Sequence, residues 1–402
     1  MKTCWIFMIL LCIAVVTCYP QSEPKNRAPF RCPESTNCSC IYGHDYEIQC
    51  PVNEPKVIVR VQPNHYIQIE CEKATEEDYE QIPEMDVSDI STLQIRRCPL
   101  PTGKSLAFFL DKIKMKKVRT LQFQSNGANS ARKLEAQHFR SFTDLERLDI
   151  RGNDYEFKEL PEDLFAEMTN LRWISIKISY IHLPLEIFAP LNKLEFLELG
   201  FNQLQHLEPG LLRNQTKLKH LNLWGNNLKK LNKDSFEGLV NVEELDLSAN
   251  GIESLDGDVL EHLSNLTDIN LSSNHFTTLP EGLLKTNRKL RFFKLIENRV
   301  PLDTLPAEIF ANLTNLRTVM LKCNLRSLPD DAFQGSENIG TISLARNDIE
   351  YLPAYLLQDQ KMLETLDISR NLIQDLPDEL FIGAKSLSVL RLSFNRISKI
   401  SK

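Results

Sequence analysis

The chain is poor in the residues that do chemistry. Its 402 residues include eight histidines, and these stand singly, with no H-E-x-x-H pair to hold zinc and no G-x-S-x-G elbow to carry a nucleophile. The segment Pro101-Thr102-Gly103-Lys104-Ser105 ends like a phosphate-binding loop, but Cys98 takes the place of its first glycine and the match fails. Cysteine is almost missing beyond residue 98, where only Cys323 remains, and Cys38-x-Cys40 has no histidine at zinc-finger spacing. These gaps exclude the common hydrolytic, nucleotide-driven and metal-centred functions, so no enzyme, metal or cofactor is expected. A net charge of −7 with 25% charged residues is an ordinary solvated surface and lacks the basic stripe that nucleic acid demands. The apolar run from Trp5 to Val16 falls short of the roughly 20 residues a membrane span needs.

What the chain has in abundance is leucine at fixed spacing. The pattern L-x-x-L-x-L-x-x-N-x-L recurs from Leu145 to Ile400 and is clearest from Leu218 through Leu221, Leu223 and Asn226 to Leu228. Its first apolar position falls at Leu145, Leu171, Leu194, Leu218, Val242, Leu266, Leu290, Leu316, Ile339, Leu363 and Leu387. Steps of 24 residues dominate, and a 26-residue step followed by one of 23 occurs twice, after Leu145 and after Leu290. Two degenerate copies precede these, at Ile90 to Leu100 and at Val118 to Asn126. This is a leucine-rich repeat. The L-x-L core alternates with period two, so its leucines point into a solenoid and the residue between them points out. The repeated asparagine is an interior polar group, tolerable only where its amide pairs with backbone groups exposed as the chain leaves the strand. One coil cannot bury its own apolar face, so stability must come from neighbours. The expected fold is an α/β solenoid: a leucine-rich-repeat horseshoe with a parallel concave β-sheet of roughly thirteen strands beginning near residue 90, and a disulfide-stapled N-terminal cap.

Lys2, the apolar run and the small residues before Tyr19-Pro20 read as a secretory signal over residues 1–18. The mature chain is then extracytoplasmic, with a cysteine-rich cap over 19–89 and repeats over 90–402. Six cysteines, Cys32, Cys38, Cys40, Cys50, Cys71 and Cys98, can pair in fifteen ways, and spacing does not choose among them. Cys323 is expected to be a buried free thiol. Sequons stand at Asn37, Asn214, Asn265, Asn270 and Asn312. Asn270, between Ile269 and Leu271, projects from the concave face, where a glycan would block flat docking. No cysteine-rich closure follows the last repeat, and a solenoid needs a polar terminal cap, so a longer protein or a truncated product is expected.

The third, fifth and seventh positions of the repeat face the concavity. They give Trp173, Ser175 and Lys177, then Phe196, Glu198 and Gly200, then His220, Asn222 and Trp224, with Phe201 beside them. Large aromatics exposed in contiguous register make interface anchors; the alternative is that the rings pack on one another. The next coils turn acidic through Glu244, Asp246 and Asp268. A protein partner is therefore expected on the N-terminal half, between the cap and Asn270.

Several stretches carry a family likeness beyond the repeats. They are Tyr46-Glu-Ile-Gln-Cys50-Pro51, Val61-Gln-Pro-Asn-His-Tyr-Ile-Gln-Ile-Glu-Cys71 and Gln94-Ile-Arg-Arg-Cys98 in the cap, and Leu221-Asn-Leu-Trp224, Val242-Glu-Glu-Leu-Asp-Leu247, Thr267-Asp-Ile-Asn-Leu-Ser272 and Asn298-Arg-Val-Pro-Leu302 further on. Together, from about Cys32 to the end, the chain resembles the N-terminal ectodomain of an insect Toll receptor. The resemblance implies reception of a Spätzle-like cystine-knot cytokine in immunity or development, with receptor self-association and a membrane span supplied by a C-terminal part outside this chain. It transfers no individual contact residues. The competing readings are a soluble leucine-rich-repeat decoy or immune-complex subunit, and an adhesion or guidance receptor, since function lives in the site and not in the solenoid.

Overall fold

The computed structural model describes residues 38–42, 45–51, 53–125, 134–152, 160–178 and 182–398. The signal segment, Cys32, Asn37 and the repeat asparagine Asn126 lie outside them.

The cap is a β-meander. Strands β1 (Ser39–Tyr42), β2 (Tyr46–Cys50), β3 (Val57–Gln62) and β4 (Tyr66–Cys71) pair antiparallel in chain order. Their period-two alternation is strict in Val57-Ile-Val-Arg-Val-Gln62, where Val57, Val59 and Val61 are fully buried. Strand β4 then pairs parallel with β5 (Thr92–Arg96). The sheet therefore does not begin near residue 90: the cap is its first edge, and β4 belongs to both. Cys38 bonds Cys50, and Cys71 bonds Cys98, which ties the cap's last strand to the first coil. Cys40 is also disulfide-bonded; its partner lies outside the described residues. Cys323 is free and buried.

From β5 onward, one strand per coil extends the sheet in parallel: β6 (Thr120–Ser125), β7 (Arg147–Gly152), β8 (Trp173–Lys177), β9 (Phe196–Glu198) and β10 (His220–Asn222). Beyond β10 the two-residue strands β11 (Lys230–Leu231) and β13 (Ser254–Leu255) pair separately. The main sheet continues through β12 (Glu244–Asp246), β14 (Asp268–Asn270), β15 (Phe292–Ile296), β16 (Thr318–Lys322), β17 (Thr341–Ser343), β18 (Thr365–Asp367) and β19 (Val389–Arg391). Strands β1 to β10 and these make a 17-stranded sheet. The inner coils sink their leucines completely, as Leu218, Leu221 and Leu223 show, whereas in the last coil Leu390 is exposed; each complete burial contributes about 1.5–3 kcal/mol.

No α-helix forms among the described residues, so the helical half of the expected α/β solenoid is absent. Each return leg is short and opens on proline in several coils, at Pro280, Pro329, Pro353 and Pro377, which leaves room for turns and single 3-10 segments such as Lys233–Phe236. Buried phenylalanines fill this side. Phe165 stacks on Phe188 at 6.0 Å and Phe310 on Phe333 at 5.6 Å.

The asparagines form a ladder. Asn226 donates to the carbonyls of Leu199 and Leu223, at 2.9 and 2.8 Å, and accepts from the amides of Asn202 and Leu204, at 3.1 and 3.0 Å. Asn202, Asn250, Asn274, Asn347, Asn371 and Asn395 donate in the same way to the carbonyls of two successive coils. The residue just before each rung turns the chain out of the strand in the left-handed region, from Phe201 (φ 61°) and Gly225 (φ 68°) to Phe394 (φ 60°). Most of these are not glycine, and the rung's hydrogen bonds offset a strain of about 1–2 kcal/mol per residue.

Candidate ligand-binding face

The parallel register puts the third, fifth and seventh positions of successive coils side by side on the concave sheet, about 4.8 Å apart. In the third column the Arg147 guanidinium lies 3.7 Å over the Trp173 ring. Trp173 stacks on Phe196 at 5.1 Å and 11°. Phe196 meets His220 at 5.8 Å, and His220 Nδ1 lies 2.9 Å from Glu244 Oε2. A cation, three rings and a carboxylate thus run unbroken across β7, β8, β9, β10 and β12.

Trp224 does not join this stack. It turns onto Phe201, ring centres 4.1 Å apart and edge-on. Two glycines make that possible. A β-carbon on Gly200 would come within 2.9 Å of Trp224 Cδ1, and one on Gly225 within 3.1 Å of Phe201 Cδ1. Of the two expectations, exposed aromatics or rings packed on one another, the structure shows the packing: Trp173, Phe196 and Trp224 are half-buried against their neighbours, and of the four rings Phe201 alone, at 49%, is exposed. Side chains in register one strand apart are close enough to stack, and water around unstacked rings is the costlier alternative. What reaches solvent is two edges of preorganised aromatic surface, with little rotamer freedom left to lose on binding.

The remaining predicted residues are fixed as well. Lys177 Nζ pairs with Glu198 Oε1 at 2.7 Å, and Ser175 Oγ donates to Glu198 Oε2 at 3.0 Å. Asn222 Oδ1 accepts from the Trp224 amide at 3.0 Å. Arg147 and Gly225 were missed by the sequence reading, although register alone puts Arg147 opposite Trp173; Gly200 was placed on the concave face, but not as the room that Trp224 needs. Of the described sequons, Asn214 and Asn312 are exposed. Asn265 Nδ2 donates to the Val240 carbonyl at 2.8 Å. Asn270 faces the concavity with Nδ2 3.2 Å from Asp246 Oδ2. Among the described residues no His, Cys, Asp and Glu group could hold a metal ion, and no helix is long and apolar enough to cross a membrane.

Coil, ladder and concave face define a leucine-rich-repeat protein, and a family model described as leucine rich repeat matches residues 192–252, 241–300 and 361–402. Protein toll of Drosophila melanogaster is 44% identical over 314 residues, 77% of this chain and 28% of that protein. In the solved Drosophila Toll–Spatzle complex the matching chain is 38% identical with a TM-score of 0.82, over 89% of this chain and 48% of its own length. The glycosylated form of that complex gives 38% and 0.83, over 92% and 50%. The chain belongs to the Toll receptor family and corresponds to the N-terminal part of the leucine-rich-repeat ectodomain. It spans about half the length of the solved Toll chains it matches.

Proposed function

We propose that this chain is the ligand-binding extracellular region of a Toll-type receptor and that it recognises a Spätzle-like cystine-knot cytokine. The observation that carries this is the match over 89% of the chain, cap and repeats together, to a Toll chain solved in complex with Spatzle. The concave face adds a physical reason: stacked aromatics with fixed orientation are suited to a protein partner. Residues 1–18 direct the chain into the secretory pathway, residues 19–89 form the cap and 90–402 the repeats. Glycans sit on the exposed Asn214 and Asn312, away from the concave columns. The full receptor stands at the cell surface through a C-terminal part outside this sequence, and ligand binding brings two receptors together.

The test is binding of the purified mature chain to a processed, disulfide-linked Spätzle dimer, with light scattering to read the size of the complex. Saturable binding at a defined stoichiometry is expected. No binding by well-folded protein would refute the reading and favour an adhesive or other soluble role.

A further inference from the structure

The concave carboxylates divide into two sets. On the N-terminal strands each is neutralised by a neighbour: Glu47 and Glu70 by Arg60, Asp149 by Arg151, Glu198 by Lys177. On β12 and β14 this stops. Asp246 accepts only from Ser248 and Asn270, and Asp268 from Thr267. Neither has a cation within ion-pair distance among the described residues, and Glu244 meets the His220 imidazole, Nδ1 2.9 Å from Oε2, rather than a lysine or arginine. Lys294, in register with Asn270 on β15, marks where the acidic stretch ends.

These groups are not scattered on a flat surface. They line a concave groove of about 360 Å³ on the sheet, with Phe196 at one end and Phe292 at the other, and both rings are half-exposed. Unneutralised carboxylates between two half-exposed rings suit one kind of occupant, a cation on an apolar stem. The stem covers the exposed ring surface and the head meets the carboxylates, where partial desolvation strengthens each contact.

Resting on the receptor reading above, we propose that this groove seats a basic side chain, arginine or lysine, of the protein ligand. The ligand's footprint then extends past the aromatic stack to β14, further along the sheet than the Asn270 sequon would allow if it carried a glycan. The groove and a sugar on Asn270 exclude each other, since Asn270 lines the same volume and its Nδ2 already serves Asp246.

The test is binding of the processed Spätzle dimer to four secreted proteins across a range of salt: the wild type, the groove variant Asp246→Ala/Asp268→Asn, which creates no new sequon, Asp268→Asn alone, and a matched control, Asp258→Asn/Glu281→Gln. The control removes the same charge from exposed convex positions. The groove variant is expected to bind at least about tenfold more weakly at low salt, the control within about twofold, and the gap to narrow as salt rises. Asp268→Asn gives a smaller loss in the same direction and covers the case in which the double variant is poorly secreted. A peptide map of the wild type should show Asn270 unmodified; full glycosylation there overturns the proposal. Wild-type binding with equal affinities for groove and control variants also overturns it and leaves the receptor reading intact. Absence of wild-type binding refutes the receptor reading, and this inference falls with it.

Discussion

Replacing Asn226 with leucine tests whether the ladder holds the solenoid. The side chain is 4% exposed and of leucine's size, so the change removes hydrogen bonds without opening a cavity. The four bonds are not equivalent. The Leu199 carbonyl also accepts from Asn202 Nδ2 at 2.8 Å, and the Leu223 carbonyl from Asn250 Nδ2 at 3.0 Å, so both acceptors keep a partner. The amides of Asn202 and Leu204 have no other acceptor and would be left buried and unpaired. Each such donor costs about 1–3 kcal/mol, and the added apolar contact returns a part of this. A net loss of about 2–5 kcal/mol follows, large beside the 5–15 kcal/mol that holds a typical domain. Because coils are stabilised by their neighbours, the damage should appear as a lower midpoint and as a broken, less cooperative transition in urea. Asn227→Leu, at the adjacent exposed position, is the control and should stay within about 0.5 kcal/mol. An Asn226→Leu protein secreted normally, with the midpoint of the control, would refute the reasoning.

Three further outcomes are expected. Trp173→Ala should weaken binding to the Spätzle dimer by about 2 kcal/mol or more, roughly thirtyfold, and Trp224→Ala should do the same; because both rings are packed, near-ultraviolet circular dichroism must show the fold retained, and unchanged affinity in both removes the aromatic face from the site. Burial pushes the Cys323 thiol up to about 12, so a thiol-specific reagent should find none in the native mature chain at pH 8 and one equivalent after unfolding without reductant; reaction in the native state would contradict the buried placement. Burial alone would raise the Asp78 carboxyl, but hydrogen bonds from the Thr75 amide and hydroxyl, together with Lys56, hold it below its ordinary range. Its contribution is thus complete above the unfolded carboxylate value near 4 and is lost as pH falls through the lower folded value. Asp78→Asn should flatten that part of the acid unfolding curve, and an unchanged curve would refute the assignment.

Much of this was legible because the repeat states its geometry twice, once in period-two leucines and once in the asparagine. Inward and outward faces, the column assignments and the buried thiol follow from register. The cap's cysteines mark it as a disulfide staple, and Val57 to Gln62 and Tyr66 to Cys71 carry the same alternation as the coils, so its two strands are legible in the same pattern. The packing of the aromatics was also within reach. Residues in one column of a parallel sheet sit about 4.8 Å apart, so Trp173 and Phe196 have to stack. The turn of Trp224 onto Phe201 was not within reach, because period two says which face a ring occupies and not which way it leans. That direction depends on the bare backbone at Gly200 and Gly225, which makes room for the two rings.

The departure from the 24-residue step that begins at Leu290 has a physical cause. Each 23-residue coil puts an apolar residue on the rung, Ile178 in one and Cys323 in the other; their amides are still capped by Asn202 and Asn347, both at 2.9 Å. An apolar rung cannot serve the coil before it, as Asn226 serves Asn202 and Leu204. In the coil that precedes Cys323 the 26-residue step supplies the substitute. Asn298 turns its amide to the Phe276 and Val300 carbonyls, Pro301 brings no amide to satisfy, and the Leu302 amide donates to the Cys323 carbonyl at 3.0 Å. Backbone bonds take over the pairing that a side-chain amide performs elsewhere, which is why the long step and the following short step occur together.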